Sequence, residues 1–329
     1  MKKTNLYASA ERKENRKRRA TVALFVSPFF LNFFVFFLFP VVAGLIITLF
    51  KYNYLDPSQM EFIGLDNYKT LFTAELMKSS FWEPLWTTIK FDLVAVPLMI
   101  IIPLLLAYLI NLHPPGYKIF RVIIYLPTVV SISIVGIVFG AIFEGSSTGL
   151  INGILGTEIK FMDGTWRWIV IMLASIWWQT GSNFVIFQAA LRDVPKPLYE
   201  ACEIDGGGRF KQFLHVTLPN IKGAIELTAF NTIIGYLSLY GQPVVLNSYL
   251  NKNSIDSPMM FIQQWLNDFS KAGLVGLVTA SAVVFGLVIL SVTIIEKIVL
   301  REKQGGKNVY GARYNAFIQA KTSSEQENA

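Results

Sequence analysis

The sequence predicts an all-α integral membrane protein of six transmembrane helices with both termini cytoplasmic, and three observations carry that prediction. Hydrophobic residues make up 53% of the 329 positions and charged residues only 16%, whereas soluble domains carry about 25% charge. Six apolar runs each approach the length, about 20 residues, that a helix needs to cross a bilayer core. The basic residues are concentrated in alternate connections between those runs.

Taken in order, the first run, 22–50, is far longer than the roughly 7–15 residues of a signal-peptide core, so it reads as a retained helix. The second, 86–111, contains Pro97 and Pro103. Each proline removes a backbone donor and clashes with the preceding turn, which predicts a bend. The third is 120–143. The fourth, 166–191, and the fifth, 221–246, carry Gln179, Asn183, Gln188, Asn231 and Ser238. Polar side chains inside a span face the bundle or a water-filled cavity, so these two spans read as inner helices. The sixth is 274–300. Trp82, Trp86, Trp166 and Trp168 fall at the boundaries, where an interfacial aromatic belt is the ordinary explanation. Asp92 and Glu226, the intramembrane acids, fall near span ends within reach of water. Residues 1–21 form a basic tail able to lie as a short amphipathic helix on the inner leaflet, and 301–329 a polar tail expected to be disordered.

Orientation follows from Lys and Arg in the short connections. The N-terminal tail, Lys118, Arg121, the 192–222 connection and the C-terminal tail hold about 21 of the 29 basic residues, the opposite connections about seven. The first set is therefore cytoplasmic. The net charge of +7 lies mostly in the two ends beside apolar runs, which suits anionic lipid and not a nucleic acid. Cys202 is the only cysteine, and with His113 and His215 it matches no metal-site spacing. No phosphate-binding loop or His-Glu-x-x-His occurs, and two isolated histidines supply no catalytic constellation. No inverted repeat of the secondary-transporter kind is detected either. The chain is expected to be neither an enzyme nor a metal protein.

The connection 192–220 is unusually elaborate for a chain this apolar. Pro195 and Pro197 close the fourth span, and a short amphipathic helix follows from Leu198. Leu198, Ala201, Cys202 and Asp205 group on one face by spacing, Glu200 and Glu203 on another. Gly206-Gly207-Gly208 permits a sharp reversal. Arg209 to Val216 can form a second helix with Phe210, Phe213 and Leu214 on one face, ended by Leu218-Pro219. The expected product is a cytoplasmic helix-turn-helix finger. Cys202 is read as a small packing residue, since its acidic neighbours do not favour a reactive thiolate.

Glu200-Ala201-Cys202, three residues, Gly206, nine residues, Val216, one residue, Leu218-Pro219 resembles the EAA motif of bacterial ABC importer permeases. Cys202 stands for the second Ala and Val216 for Ile. Further elements resemble the carbohydrate-uptake branch, of maltose and glycerol-phosphate type, over roughly Leu24 to Leu300. They are Phe62-Ile63-Gly64-Leu65-Asp66-Asn67-Tyr68, Phe120-Arg121 with Leu126-Pro127, Gly149-Leu150-Ile151-Asn152, Trp177 with Gly181, and Val194-Pro195 with Leu198 and Tyr199. The resemblance implies that the finger is a coupling helix seated in a cleft of an ATPase subunit. Glu200 would then pair with a base there, Ala201 and Cys202 allow close seating, Gly206 supplies the turn, and Asp205, Leu218 and Pro219 complete the motif. Phe210 and Phe213 would anchor the finger to the permease itself. Implied partners are a second permease subunit, a cytoplasmic ATPase dimer carrying ATP and Mg, and an extracytoplasmic solute-binding protein. No cofactor is implied on this chain.

Tyr240-Gly241-Gln242-Pro243 departs from the family's Phe-Asp and Gly-Gly-Pro pattern, so pathway residues are argued from chemistry. Sugars are held by well-placed polar groups beside aromatic faces. Gln179, Asn183, Tyr236, Ser238, Tyr240 and Gln242 offer such groups, and Trp177 a stacking surface. Interhelical hydrogen bonding is the competing reading for each. The cargo reads as a sugar or oligosaccharide, with a glycerol phosphate derivative as the alternative.

Overall fold

The computed structural model describes residues 17–18, 21–249 and 256–302. The expected amphipathic helix in 1–21 and the expected disorder of 301–329 fall almost wholly outside the described residues. The chain divides into two compact units, Met1–Ala74 with Gln264–Val283, and Glu75–Gln263 with Val284–Ala329.

In the first unit, α1 (Thr21–Ile47) contains a π-helical stretch, Phe33–Leu38. Its phenylalanines stack on one another, Phe33 and Phe37 at 5.1 Å, and project outward from the chain, as expected of a lipid-facing surface. Strand β1 (Phe50–Lys51) then pairs antiparallel with β2 (Glu61–Phe62), placing Phe50 opposite Phe62. Asn67, in the first turn of α2 (Asp66–Thr73), donates its amide to Thr48 O at 2.8 Å and Phe50 O at 3.0 Å. These carbonyls lie beyond the last turn of α1 and have no intrahelical donor. The Phe62–Tyr68 motif is thus a clamp on the end of the first span.

The second unit begins with the helical run α3 (Glu75–Asn111), which includes a π stretch at Lys78–Trp82. Both prolines lie inside one continuous helix, so neither divides the span. Pro103 cannot donate to Met99 O four residues back, and Asn183 Nδ2 supplies that donor at 3.0 Å. The predicted third span is a bent pair, α4 (Tyr117–Val129) and α5 (Ile132–Ile142), turning by 99°. At the bend Val130 O accepts from the Trp178 indole at 2.8 Å and Ser131 caps α5. Within α6 (Leu150–Leu155), the buried Asn152 donates to Glu144 O and Ile159 O and accepts from Thr157 Oγ1 and Ile159 N. The motif asparagine therefore ties its own loop together.

Helix α7 (Gly164–Arg192) matches the fourth predicted span closely. Helices α8 (Lys196–Ile204) and α9 (Arg209–Gln212) form the finger. The predicted fifth span is in two pieces, α10 (Lys222–Leu237) and α11 (Gly241–Tyr249). Leu239 O, freed at the break, accepts from Ser257 Oγ at 2.5 Å, and the same hydroxyl caps α12 (Pro258–Asn267) through Met260 N. Helix α13 (Val275–Glu302) follows a short 3-10 turn. Among the described residues four helices are long and apolar enough to cross a membrane, or up to five if the bent pair counts as one.

Helices α3 and α7 form the axis of the second unit. Phe91, Ala95 and Met99 of α3 pack with Ile171 and Ala174 of α7 and with Tyr236 of α10. Gly181 admits α4 against α7: a Cβ there would lie 2.9 Å from Ile124 O. The motif glycine marks that close approach, which no side chain would permit.

Candidate functional site

The finger is built from a buried base and an open tip. Pro195 precedes α8 and Pro197 occupies its first turn, where a missing N–H costs nothing. Leu198 and Cys202, four residues apart on one face, are fully buried. They join Leu104 and Ala107 of α3 and Phe187 and Leu191 of α7 in one apolar cluster. Gly206 takes φ of 74°, the left-handed conformation that makes the reversal. Gly207 does a different job that spacing did not reveal. Its N–H returns to Cys202 O at 2.8 Å, and a Cβ there would sit 2.5 Å from Cys202 Sγ.

Beyond the turn, α9 continues as a π turn, Phe213–Thr217. Phe213 meets Tyr108 of α3 with rings 4.7 Å apart, Val216 is fully buried, and Tyr199 hydrogen-bonds Thr217 at 3.0 Å. Two expectations are corrected. Phe210 does not anchor the finger: it is 75% exposed, and Phe213 and Val216 make the contacts with the bundle. Asp205 does not join Leu198 and Cys202 in the buried base; it lies exposed at the C-cap of α8. Glu200, Ile204 and Phe210 project from the tip, Ile204 with 87% of its surface exposed. Ala201 and Leu218 are half-buried, and Pro219 is exposed.

Cys202 is the free thiol of this base. In the folded protein it should resist maleimide labelling and should become reactive only after denaturation. Rapid labelling of the native protein would show that the base opens.

The proposed pathway residues do not form one site. Asn183 is buried between helices, bonded to Met99 O and, at 3.4 Å, to Thr232 Oγ1. Tyr236 is fully buried with its ring 5.6 Å from Phe91, and its hydroxyl has no hydrogen-bond partner among the described residues. Ser238 and Tyr240 flank the break between α10 and α11, and Gln242 is buried in the first turn beyond it. Trp177 faces away from Asn183, 42% exposed and 5.8 Å from Phe139. Gln179 is half-buried on α7.

Asp92 corrects a further expectation. Both carboxylate oxygens are shielded and lack a hydrogen-bond partner among the described residues. It does lie at a span end, just before the uncharged stretch 93–111 of α3, but the protein's own side chains shield it. Glu226, by contrast, lies 3.5 Å from Lys222 in the first turns of α10. Sequence reasoning also missed an ion pair at the start of α7. Arg167 reaches Asp256 at 2.5 Å and also contacts Asn247, which itself donates to Asp256 at 3.0 Å. All three side chains are nearly buried. No local signal links Arg167 to a residue 89 positions away.

The model of a family described as "Binding-protein-dependent transport system inner membrane component" matches residues 70–304. The chain is 33% identical over 237 residues to the arabinooligosaccharides transport system permease protein AraP of Bacillus subtilis (strain 168), covering 70% of this chain and 72% of that one. It is 32% identical to the lactose transport system permease protein LacF of Rhizobium radiobacter, covering 67% and 73%. A solved bacterial alginate ABC transporter, in complex with an alginate pentasaccharide-bound periplasmic protein, superposes with a TM-score of 0.72. That match spans 89% of this chain and 98% of its counterpart at 20% identity, a likeness of fold.

Proposed function

Because this multi-pass protein of the cytoplasmic membrane belongs to the family of binding-protein-dependent transport system inner membrane components, we propose that it is the permease subunit of an ATP-driven sugar or oligosaccharide importer. The kinship with AraP and LacF supports a saccharide cargo. A second permease subunit completes the pathway, an ATPase dimer binds ATP and Mg on the cytoplasmic side, and an extracytoplasmic binding protein delivers solute. The bent α4–α5 pair and the broken α10–α11 segment each make one crossing, for six in all with both termini inside. Backbone breaks at membrane depth are tolerated where protein groups satisfy the freed carbonyls, as Trp178 and Ser257 do here.

The observation that carries the coupling mechanism is the continuity of the finger with the bundle. Leu198, Cys202 and Val216 share one buried cluster with α3 and α7, so the finger can move only with those helices. Its exposed Glu200, Ile204 and Phe210 present an acidic and apolar tip suited to a groove on an ATPase. Closure of the ATPases on ATP would displace the finger and, through its base, α3 and α7, switching the pathway between outward and inward access. ATP hydrolysis itself takes place on the partner. Asn183, Tyr236, Ser238, Tyr240 and Gln242 are proposed to meet solute as the seam between α3, α7 and α10 opens, whereas Gln179 and Trp177 face other surfaces.

Proteoliposomes containing the complete complex and its binding protein should accumulate oligosaccharide only with internal ATP. This chain alone should not transport. Uptake by the isolated chain would sink the importer reading.

A further inference from the structure

The ionisable side chains of the bundle are distributed unevenly. The sequence has no Lys, Arg or His in 91–111, 122–142, 168–191, 223–249 or 272–296, the interiors of the helical segments that cross or enter the membrane. Five cations at the ends of those stretches are engaged: Lys90 over Trp86, Arg121 over Tyr117, Arg167 against Asp256, Lys222 against Glu226, and Lys271 against Asp268. At the edge of the uncharged stretch 93–111 of α3, two residues after Lys90, lies the buried Asp92. Its carboxyl group has no hydrogen-bond partner among the described residues, nor do the buried hydroxyls of Ser175, Thr228 and Tyr236 on α7 and α10.

An anion entering a low-dielectric passage loses its hydration and needs fixed positive charge in return. A polyhydroxylated neutral solute needs only donors and acceptors, and single hydroxyls and amides supply those. Asp92, in either protonation state, contributes hydrogen bonds and no positive charge. Once water reaches it in a conducting state, its carboxylate also repels an anion across several ångströms of poorly screening surroundings.

We propose that the wall this chain contributes to the pathway admits uncharged, polyhydroxylated saccharides and excludes anionic ones such as uronates and phosphate esters. The proposal rests on the reading that α3, α7 and α10 line that pathway. It decides between the two cargo classes that the sequence left open. It also separates this chain from the solved alginate importer, whose cargo is an acidic polysaccharide.

The test uses the complete complex in proteoliposomes with ATP and the cognate binding protein. Two ligands held by that binding protein with comparable affinity are compared: a neutral oligosaccharide and the same oligosaccharide carrying a terminal uronate. Transport per loaded binding protein should be at least about tenfold slower for the uronate, the size expected for an uncompensated charge. The near-isosteric Asp92→Asn should narrow that ratio while retaining neutral transport. Equal rates in the wild-type complex would overturn the proposal. A ratio unchanged by Asp92→Asn would assign the exclusion to the other subunit and overturn it for this chain. Neutral uptake that did not require ATP would instead refute the importer reading beneath it.

Discussion

Glu200→Lys is expected to reduce ATP-dependent transport at least about tenfold while leaving membrane insertion intact. Glu200 is exposed on the tip side of α8, opposite the buried Leu198 and Cys202, so the folded permease does not depend on it. In the proposed complex its carboxylate meets a base in the ATPase groove. Losing one side of a desolvated charge pair costs about 2–5 kcal/mol, and reversing the charge adds repulsion. Binding-protein-stimulated ATP hydrolysis and solute uptake should therefore fall together, with the assembled complex weakened. Normal uptake by this variant would remove Glu200 from the coupling mechanism.

Arg167→Met is expected to destabilise the subunit by about 3–5 kcal/mol, the usual consequence of stripping the countercharge from a nearly buried carboxylate. Arg167 joins the first turn of α7 to Asn247 at the end of α11 and to Asp256 before α12. Its loss should release those segments together. Thermal unfolding of the detergent-solubilised protein would register the change. The double variant Arg167→Met with Asp256→Leu should recover much of the stability, since a well-packed apolar replacement for a buried pair is often neutral. Failure of the double variant to recover would show that the contacts of Asp256 matter more than its charge.

Much of the architecture was legible without coordinates. The fourth span was placed to within a residue or two, because Gly164 to Arg192 is bounded by a loop on one side and by Pro195 on the other. The finger was legible because proline, small residues and the glycine run stand at spacings that only a helical reversal satisfies. Less legible were its details. Phe210 proved exposed while Phe213 and Val216 hold the base, a division that spacing alone does not show. Asp92 was placed at a span end, but its shielding from water depends on side chains remote in sequence, which no local pattern reveals.

The sequence by itself determined membership in the family, the apolar segments and the reversal at Gly206, since each depends on residues close together along the chain. Only the tertiary structure decided where those segments break and which polar groups inside them are satisfied. The 99° bend at Val130 persists because Trp178 donates to the freed carbonyl, and Pro103 sits within α3 because Asn183 supplies its missing donor. In a bilayer a broken helix survives only if another part of the chain provides that hydrogen bond. The provider lies 48 and 84 positions away in these two cases, beyond the reach of any local pattern.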